Sequence, residues 1–193
     1  VECDIQQCLG NLAERVESMN IFDSTRRFHG LGDRERLLLQ IAVTLHACGK
    51  FISMKNSNEC GYTLIMSTEI IGLSHLEREI IANVVRYNIR DFDYDMMQLE
   101  TEAGQDLAGV SDRTAITILI AKLTAILRLA NSMDKTHKSK LIDCRMAVRE
   151  GQLVITTGYK GDLALESASF EQKAAFFEEI FGIRPVLKQK RRV

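Results

Sequence analysis

Apolar residues recur every three or four positions through most of the chain, the spacing of helices that bury one face. Ile5, Cys8, Leu12, Val16 and Met19 predict a first helix, with Asp4 as its N-cap. A polar connector containing Phe22, Phe28 and Leu31 leads to Asp33, which is expected to cap a second helix. Leu37, Leu38, Ile41, Leu45 and Cys48 share its stripe, and Gly49 stops it. Residues 55–59 read as a polar loop, and 62–71 as an apolar run that periodicity leaves open between helix and strand. Ser74 and Glu77 form a capping-box pattern before a helix carrying Leu76, Ile80, Val84 and Asn88, with Ile81 and Val85 beside them. The longest helix is expected to start at Ser111-Asp112. Its stripe of Ile116, Leu119, Leu123, Leu127 and Ala130, widened by Ile120 and Ile126, predicts a central place in the core.

The pattern changes after Ser139. Residues 146–148 and 153–157 flank Glu150-Gly151 and predict a β-hairpin. Ser169 with Gln172 patterns a capping box for a helix carrying Phe170, Ala174, Phe177 and Phe181, ended by Gly182. Residues 183–187 predict a strand, and Pro185 places it at a sheet edge. The expected fold is mainly α: a helical domain over 1–138, then a small α+β (ββαβ) unit over 139–193.

Composition agrees. With 193 residues, 46% of them apolar, the chain can bury one good core, and 12 Gly with 1 Pro argue against a turn-rich β fold. The formal net charge of −1 argues against a general nucleic-acid binder. Lys122 and Arg128 interrupt the longest apolar stretch, so no membrane partner is expected, and the first residues carry no signal-peptide pattern. Five cysteines without a CxxC fit reduced thiols and a cytoplasmic setting. The acidic run Asp91, Asp93, Asp95, Glu100, Glu102 and Asp106 lacks EF-hand spacing and reads as a solvated loop.

Glycine-rich phosphate loops, GxSxG and HExxH are all missing. Among His29, His46, His75 and His137, only His46, at the end of an apolar stripe, is a candidate for chemistry; composition alone favours a structural histidine there.

Leu45-His46-Ala47-Cys48-Gly49-Lys50 resembles the LHDIGK segment of HD-domain phosphohydrolases, with Ala in place of Asp. Four further segments follow in order: Tyr62-Thr63-Leu64-Ile65; Ile71-Gly72-Leu73-Ser74 with Glu77; Ile80-Ile81-Ala82 with Arg86-Tyr87; and Leu127-Arg128-Leu129-Ala130 with Met133-Asp134-Lys135 and His137. Each motif is weak alone, but their order is similar to the C-terminal part of the Ppx/GppA family, the exopolyphosphatases and guanosine pentaphosphate phosphohydrolases. The resemblance covers residues 1 to about 140, and the ββαβ tail suits the family's ending.

That resemblance implies an HD-domain-like helical bundle with a degenerate site at His46, Ala47, Asn58, Cys60, Asn88, Asn131 and Asp134. Ala47, Asn88 and Asn131 stand where the pattern has Asp, His and Asp, so no metal and no catalytic residue are expected. An alternative ligand set for a softer ion is Cys8, His46 and Cys60, against which these cysteines read as small buried hydrophobes. The family's catalysis resides in N-terminal actin-like lobes, where the parent enzyme would hold Mg. The chain does not begin with Met and is expected to be a piece of such a protein. Its implied partners are those N-terminal domains, a second copy in a homodimer, and polyphosphate or another polyanion. Lys50, Arg86, Arg90, Arg128, Lys135 and His137, with Lys138, lie at ends of the matched helices and are the candidate anion-binding residues; the competing reading is ordinary solvated charge. The basic tail from Lys188 to Arg192 is a second candidate.

Overall fold

A computed structural model describes the backbone of residues 2–94 and 109–190, and side chains of residues 12–94 and 113–190. The elements run α1 (Glu2–Ser24), α2 (Arg26–His29), α3 (Asp33–Leu45), a 3-10 turn at Cys48–Phe51, α4 (Ser57–Met66), α5 (His75–Tyr87), α6 (Gly109–Met133), β1 (Arg145–Arg149), β2 (Gln152–Thr157), α7 (Ala164–Phe181) and β3 (Arg184–Gln189). The chain is mainly helical with one small sheet, and no strand precedes β1 among the described residues. Of the acidic run, Asp95, Glu100, Glu102 and Asp106 lie outside the described residues, as do the side chains of Ile5 and Cys8.

α6 is the axis of the fold. Its C-terminal half, from Ile120 onward, is buried almost all round, and α1, α5 and α7 pack against it. Over Arg113–Met133 it is long and apolar enough to cross a membrane by length and composition, despite Lys122 and Arg128; 56% of that window is buried inside the fold. Both interrupting charges are used internally. Lys122 Nζ donates to the carbonyl of His29, the last residue of α2, at 2.9 Å. Arg128 Nε donates to that of Tyr87, the last residue of α5, at 2.8 Å. Helix C-termini leave carbonyls without partners, and a cation suits them.

Local signals explain most boundaries. Ser74 Oγ accepts from the Glu77 N–H while Glu77 takes the Ser74 N–H, so the capping box opens α5 as expected. Gly182 ends α7 with φ 67°, and Glu150-Gly151 turn the hairpin with φ 51° and 74°. Strands β1 and β2 pair antiparallel, with Met146 opposite Ile155. β3 lies parallel to β2 at the edge, where Pro185 is tolerated, and α7 is the crossover. One hydrophobic cluster joins Leu153, Ile155, Phe170 and Phe177 to the α6 residues Ile120 and Leu127, so the core continues across residue 138.

Several expectations need correction. Asp4 lies inside α1, and of the predicted α1 stripe Met19 is buried, Val16 half-buried and Leu12 52% exposed, because the buried face is centred on Ala13, Glu14, Glu17, Ile21 and Phe22. On α3 the buried face is Leu38, Leu39, Ala42 and Val43, one position round from the predicted stripe. Gly32 is its N-cap, Asp33 its first residue, and the helix stops at Leu45, before Gly49. Ser57, Asn58 and Glu59 are not loop but the first turn of α4. α6 begins at Gly109 rather than Ser111. Ser169 lies within α7, whose first turn is held by Asp162, its Oδ1 accepting from the Ala164 N–H at 2.8 Å.

Gly49 is required by a close approach. A Cβ there would lie 1.8 Å from the Ser57 carbonyl oxygen and 2.5 Å from the Gly61 nitrogen, both backbone atoms of α4. Gly49→Ala should therefore destabilise the protein by at least about 2 kcal/mol. Gly158→Ala, where a Cβ meets nothing within 4 Å, should stay within about 0.5 kcal/mol of the parent in the same urea melts. Equal midpoints for the two would contradict this packing.

Candidate functional site

Two chemically distinct places lie on either side of the C-terminal end of α6. The inner one is a buried polar centre. α1 presents Glu14 and Glu17, both fully buried, α3 ends on His46, and Asp134 follows α6 at 1% exposure. His46 Nε2 is 3.0 Å from Glu14 Oε2, and its Nδ1 is 2.6 Å from the Val43 carbonyl oxygen. Two acceptors on one imidazole suit the doubly protonated ring. Burial alone would lower the His46 pKa, but the close contact and charge of Glu14 outweigh it, and the net shift is upward.

The carboxyls around this pair are crowded. Burial first, then the charges of Asp134 and Glu14, push Glu17 up to about 9, so it is a neutral acid at pH 7. Asp134 is also raised, by burial, against a 2.8 Å hydrogen bond from the Ser139 N–H. The Cys144 thiol is pushed up to about 12 by burial and by Glu17, which makes it an inert thiol rather than a nucleophile. Both oxygens of Glu14 and of Glu17, Ser18 Oγ, Thr124 Oγ1 and Asp134 Oδ2 are buried without well-directed hydrogen bonds, so the 3.0 Å Glu14–His46 contact is an ion pair rather than an aligned hydrogen bond.

The HD-type resemblance implies a divalent ion beside His46. The residues do not fit one. Both His46 nitrogens face protein acceptors, Ala47 is a buried methyl side chain, and Asn58 and Cys60 belong to α4, where Cys60 lines a separate shallow groove with Ile52 and Thr63. Among the described residues, no three His, Cys, Asp or Glu side chains form a group that could hold a metal ion.

The outer place is basic. Asn88 and Ile89 after α5, Arg128, Asn131, Ser132 and Lys135 from the end of α6, and Ser169 and Lys173 of α7 line one recess. Two residues matched to the degenerate site, Asn88 and Asn131, thus sit with Arg128 and Lys135 from the anion set. Arg128 is 7% exposed; beyond its bond to Tyr87 it donates to the Arg90 carbonyl and lies 4.5 Å over the Phe176 ring. Its first role is to fix α5, α6 and α7 together.

The other candidates lie elsewhere. Arg86 and Arg90 share Glu59, at 2.9 and 3.1 Å, and Arg86 stacks over Tyr62. Lys50 ends up in the turn beside His46. His137 is exposed, with φ 52°, in the turn after α6. His29 is a core residue: Nε2 donates to the Phe22 carbonyl at 2.8 Å, and Nδ1 accepts from the Leu31 N–H at 2.9 Å.

Comparison with known families matches residues 10–174 to Ppx/GppA phosphatase, domain III. The chain belongs to the Ppx/GppA family. No curated protein matches it. The family match spans both the buried centre and the basic recess, and it extends into α7, beyond the segments that carry the sequence resemblance. Glu14, Glu17 and Lys173 were not visible as site residues. Nothing in their spacing separates them from the charges that ordinarily cover a helix surface.

The buried centre makes stability depend on pH. Glu17 has a folded pKa above its unfolded value of 4.5, so the folded state holds an extra proton between pH 4.5 and about 9. Stability must fall with rising pH across that window. His46, also raised, acts in the same direction. Urea melts from pH 5 to 9 should show this decline, and Glu17→Gln should flatten it by up to one proton while raising stability at pH 8. An unchanged slope in the variant would show that Glu17 is not held protonated.

Proposed function

We propose that this domain is a non-catalytic C-terminal part of an exopolyphosphatase-like protein, and that it handles polyphosphate and forms a homodimer. The family match carries this reading, because it assigns domain III and not the N-terminal lobes where the family's chemistry resides. The buried centre supports the absence of catalysis in this domain. Its histidine is engaged with Glu14, Cys144 is held as a neutral thiol, and every member is at least nine-tenths buried except that thiol, which is half-buried. On this reading the helices keep an HD-type arrangement, and an ion pair has replaced metal ligation.

Polyphosphate handling rests on the basic ends of α5 and α6. The bonds from Arg128 to Tyr87 and Arg90 bring them together, with Lys135 exposed beside them. Polyphosphate carries about one charge per phosphate, so a track of cations suits it better than a shaped pocket. Long polyphosphate should bind the chain at low salt, with a log–log salt slope that counts the phosphates contacted. Titration between about 20 and 200 mM NaCl checks this; no binding at the lower salt would leave dimerisation alone.

The dimer reading rests on an apolar groove of about 380 Å3 between α3 and α4, lined by Leu37, Ile41, Leu45, Leu64 and Ile70. Ile71, next to the lining Ile70, is fully exposed, and Phe51 and Met54 are 76% and 77% exposed. Sedimentation should give a dimer that Leu64→Glu converts to a folded monomer. A parent protein that is monomeric at tens of micromolar would remove the dimer from the reading.

A further inference from the structure

The basic recess is a more specific structure than a track. We propose that it seats one phosphoryl group, held by Lys135 in the turn after α6 and Lys173 of α7 with Ser169 as a hydroxyl donor; this rests on the polyphosphate reading and names its docking point.

Three cations meet there. Lys173 is partly buried, and burial, Arg128 and Lys135 all disfavour its charge, while Asp91 favours it. Asp91 also acts on Arg128. Among the described residues, one carboxylate against three cations leaves the recess with excess positive charge, and low-dielectric walls focus it. Among the same residues Lys135, Lys173 and Arg128 form no ion pair, in contrast to Arg86 and Arg90 on Glu59. An anion entering the recess therefore gains charge-assisted hydrogen bonds without first displacing a carboxylate.

The recess is about 140 Å3 and half open to solvent, which gives room for a tetrahedral oxyanion with the rest of a chain outside it. Its wall includes Asn88, whose Oδ1 is buried with no donor. A protonated phosphoryl oxygen brings the missing donor, as orthophosphate and the end of a polyphosphate chain do near neutral pH. Lys173 projects from α7 and Lys135 from the turn that follows α6, and Arg128 ties α6 to Tyr87 of α5 and to the Phe176 ring of α7.

The test uses the 193-residue chain with orthophosphate, tripolyphosphate and long polyphosphate at low salt. Titration calorimetry gives affinities, and the Nζ resonances of labelled lysines report the site. Orthophosphate should shift Lys135 and Lys173. Lys173→Gln and Lys135→Gln should each weaken tripolyphosphate about tenfold, the scale of losing a desolvated charge partner. Lys173→Arg should recover part of this, and Arg145→Gln, on the exposed start of β1, should change it less than twofold. Lys135 is exposed, so its variant keeps the test valid if Lys173→Gln unfolds. If tripolyphosphate binds equally to the lysine variants and to Arg145→Gln, the seat is wrong, although long-chain binding would still uphold polyphosphate handling. If orthophosphate binds through both lysines while long chains do not bind, the seat stands and polyphosphate handling falls. No binding of any of the three overturns both.

Discussion

A helix that is apolar nearly all round must be surrounded, and α6 imposes that demand on the rest of the chain. α1, α5 and α7 meet it, and the hairpin side of the sheet is drawn into the same cluster. The demand extends to the charges that interrupt α6. Lys122 and Arg128 cannot stay on a buried helix unpaired. Each reaches the carbonyl of a last helical residue, His29 for α2 and Tyr87 for α5. Such carbonyls lack partners in their own helices. The two interruptions therefore act as clasps: the residues that weaken α6 as an apolar segment fix where its neighbours end.

The same logic marks what could be read from the sequence. Capping and turn chemistry were legible because they are local. Ser74 with Glu77, Glu150-Gly151, Gly182 and Pro185 each act within a few residues, and each appears where expected. Faces were less legible, because tertiary partners choose them. α1 contains apolar residues on more than one side, and the fold buries the side that carries Glu14 and Glu17. Those carboxyls find His46 and Asp134 only through long-range packing. A hydrophobicity pattern places Glu on the surface, so the buried centre was invisible apart from His46 and Asp134. On α7 the Ser169–Gln172 pattern imitated a cap inside a helix that Asp162 had already begun. The anion set was half legible: Arg128 and Lys135 do line one recess, whereas Glu59 claims Arg86 and Arg90.

The buried centre need not increase stability to be useful. Removing two charges from water costs several kcal/mol per ion, and a Coulomb gain repays that only with good geometry and further hydrogen bonds. The Glu14–His46 pair has the second bond through Val43, but Glu17 and Asp134 keep orphaned oxygens nearby. An apolar replacement of the whole cluster could match its stability, whereas removal of one partner leaves a buried charge unpaired. What the pair supplies is register. It fixes the end of α3 against one turn of α1, where Ala47 and Gly49 leave little side chain to do so.

Burying acids also changes how the charge of this chain should be counted. The formal net charge of −1 treats Glu17 as ionised and His46 as neutral. The fold holds Glu17 neutral, which moves the count to 0, and shifts His46 upward in the same direction. The near-neutral total that argues against a general nucleic-acid binder is therefore partly an inventory of carboxyls that solvent never meets. Asp134 and Lys135 show the separation at one helix end: the first is 1% exposed in the acidic centre, and the next residue is exposed at the basic recess. Both stand in the turn that follows α6, where one step along the chain sends the acid inward and the base outward. A polyanion responds to the field at the surface rather than to the sum over the sequence, and at the end of α6 that field is set by Lys135, Lys173 and Arg128 with Asp91 as counterweight.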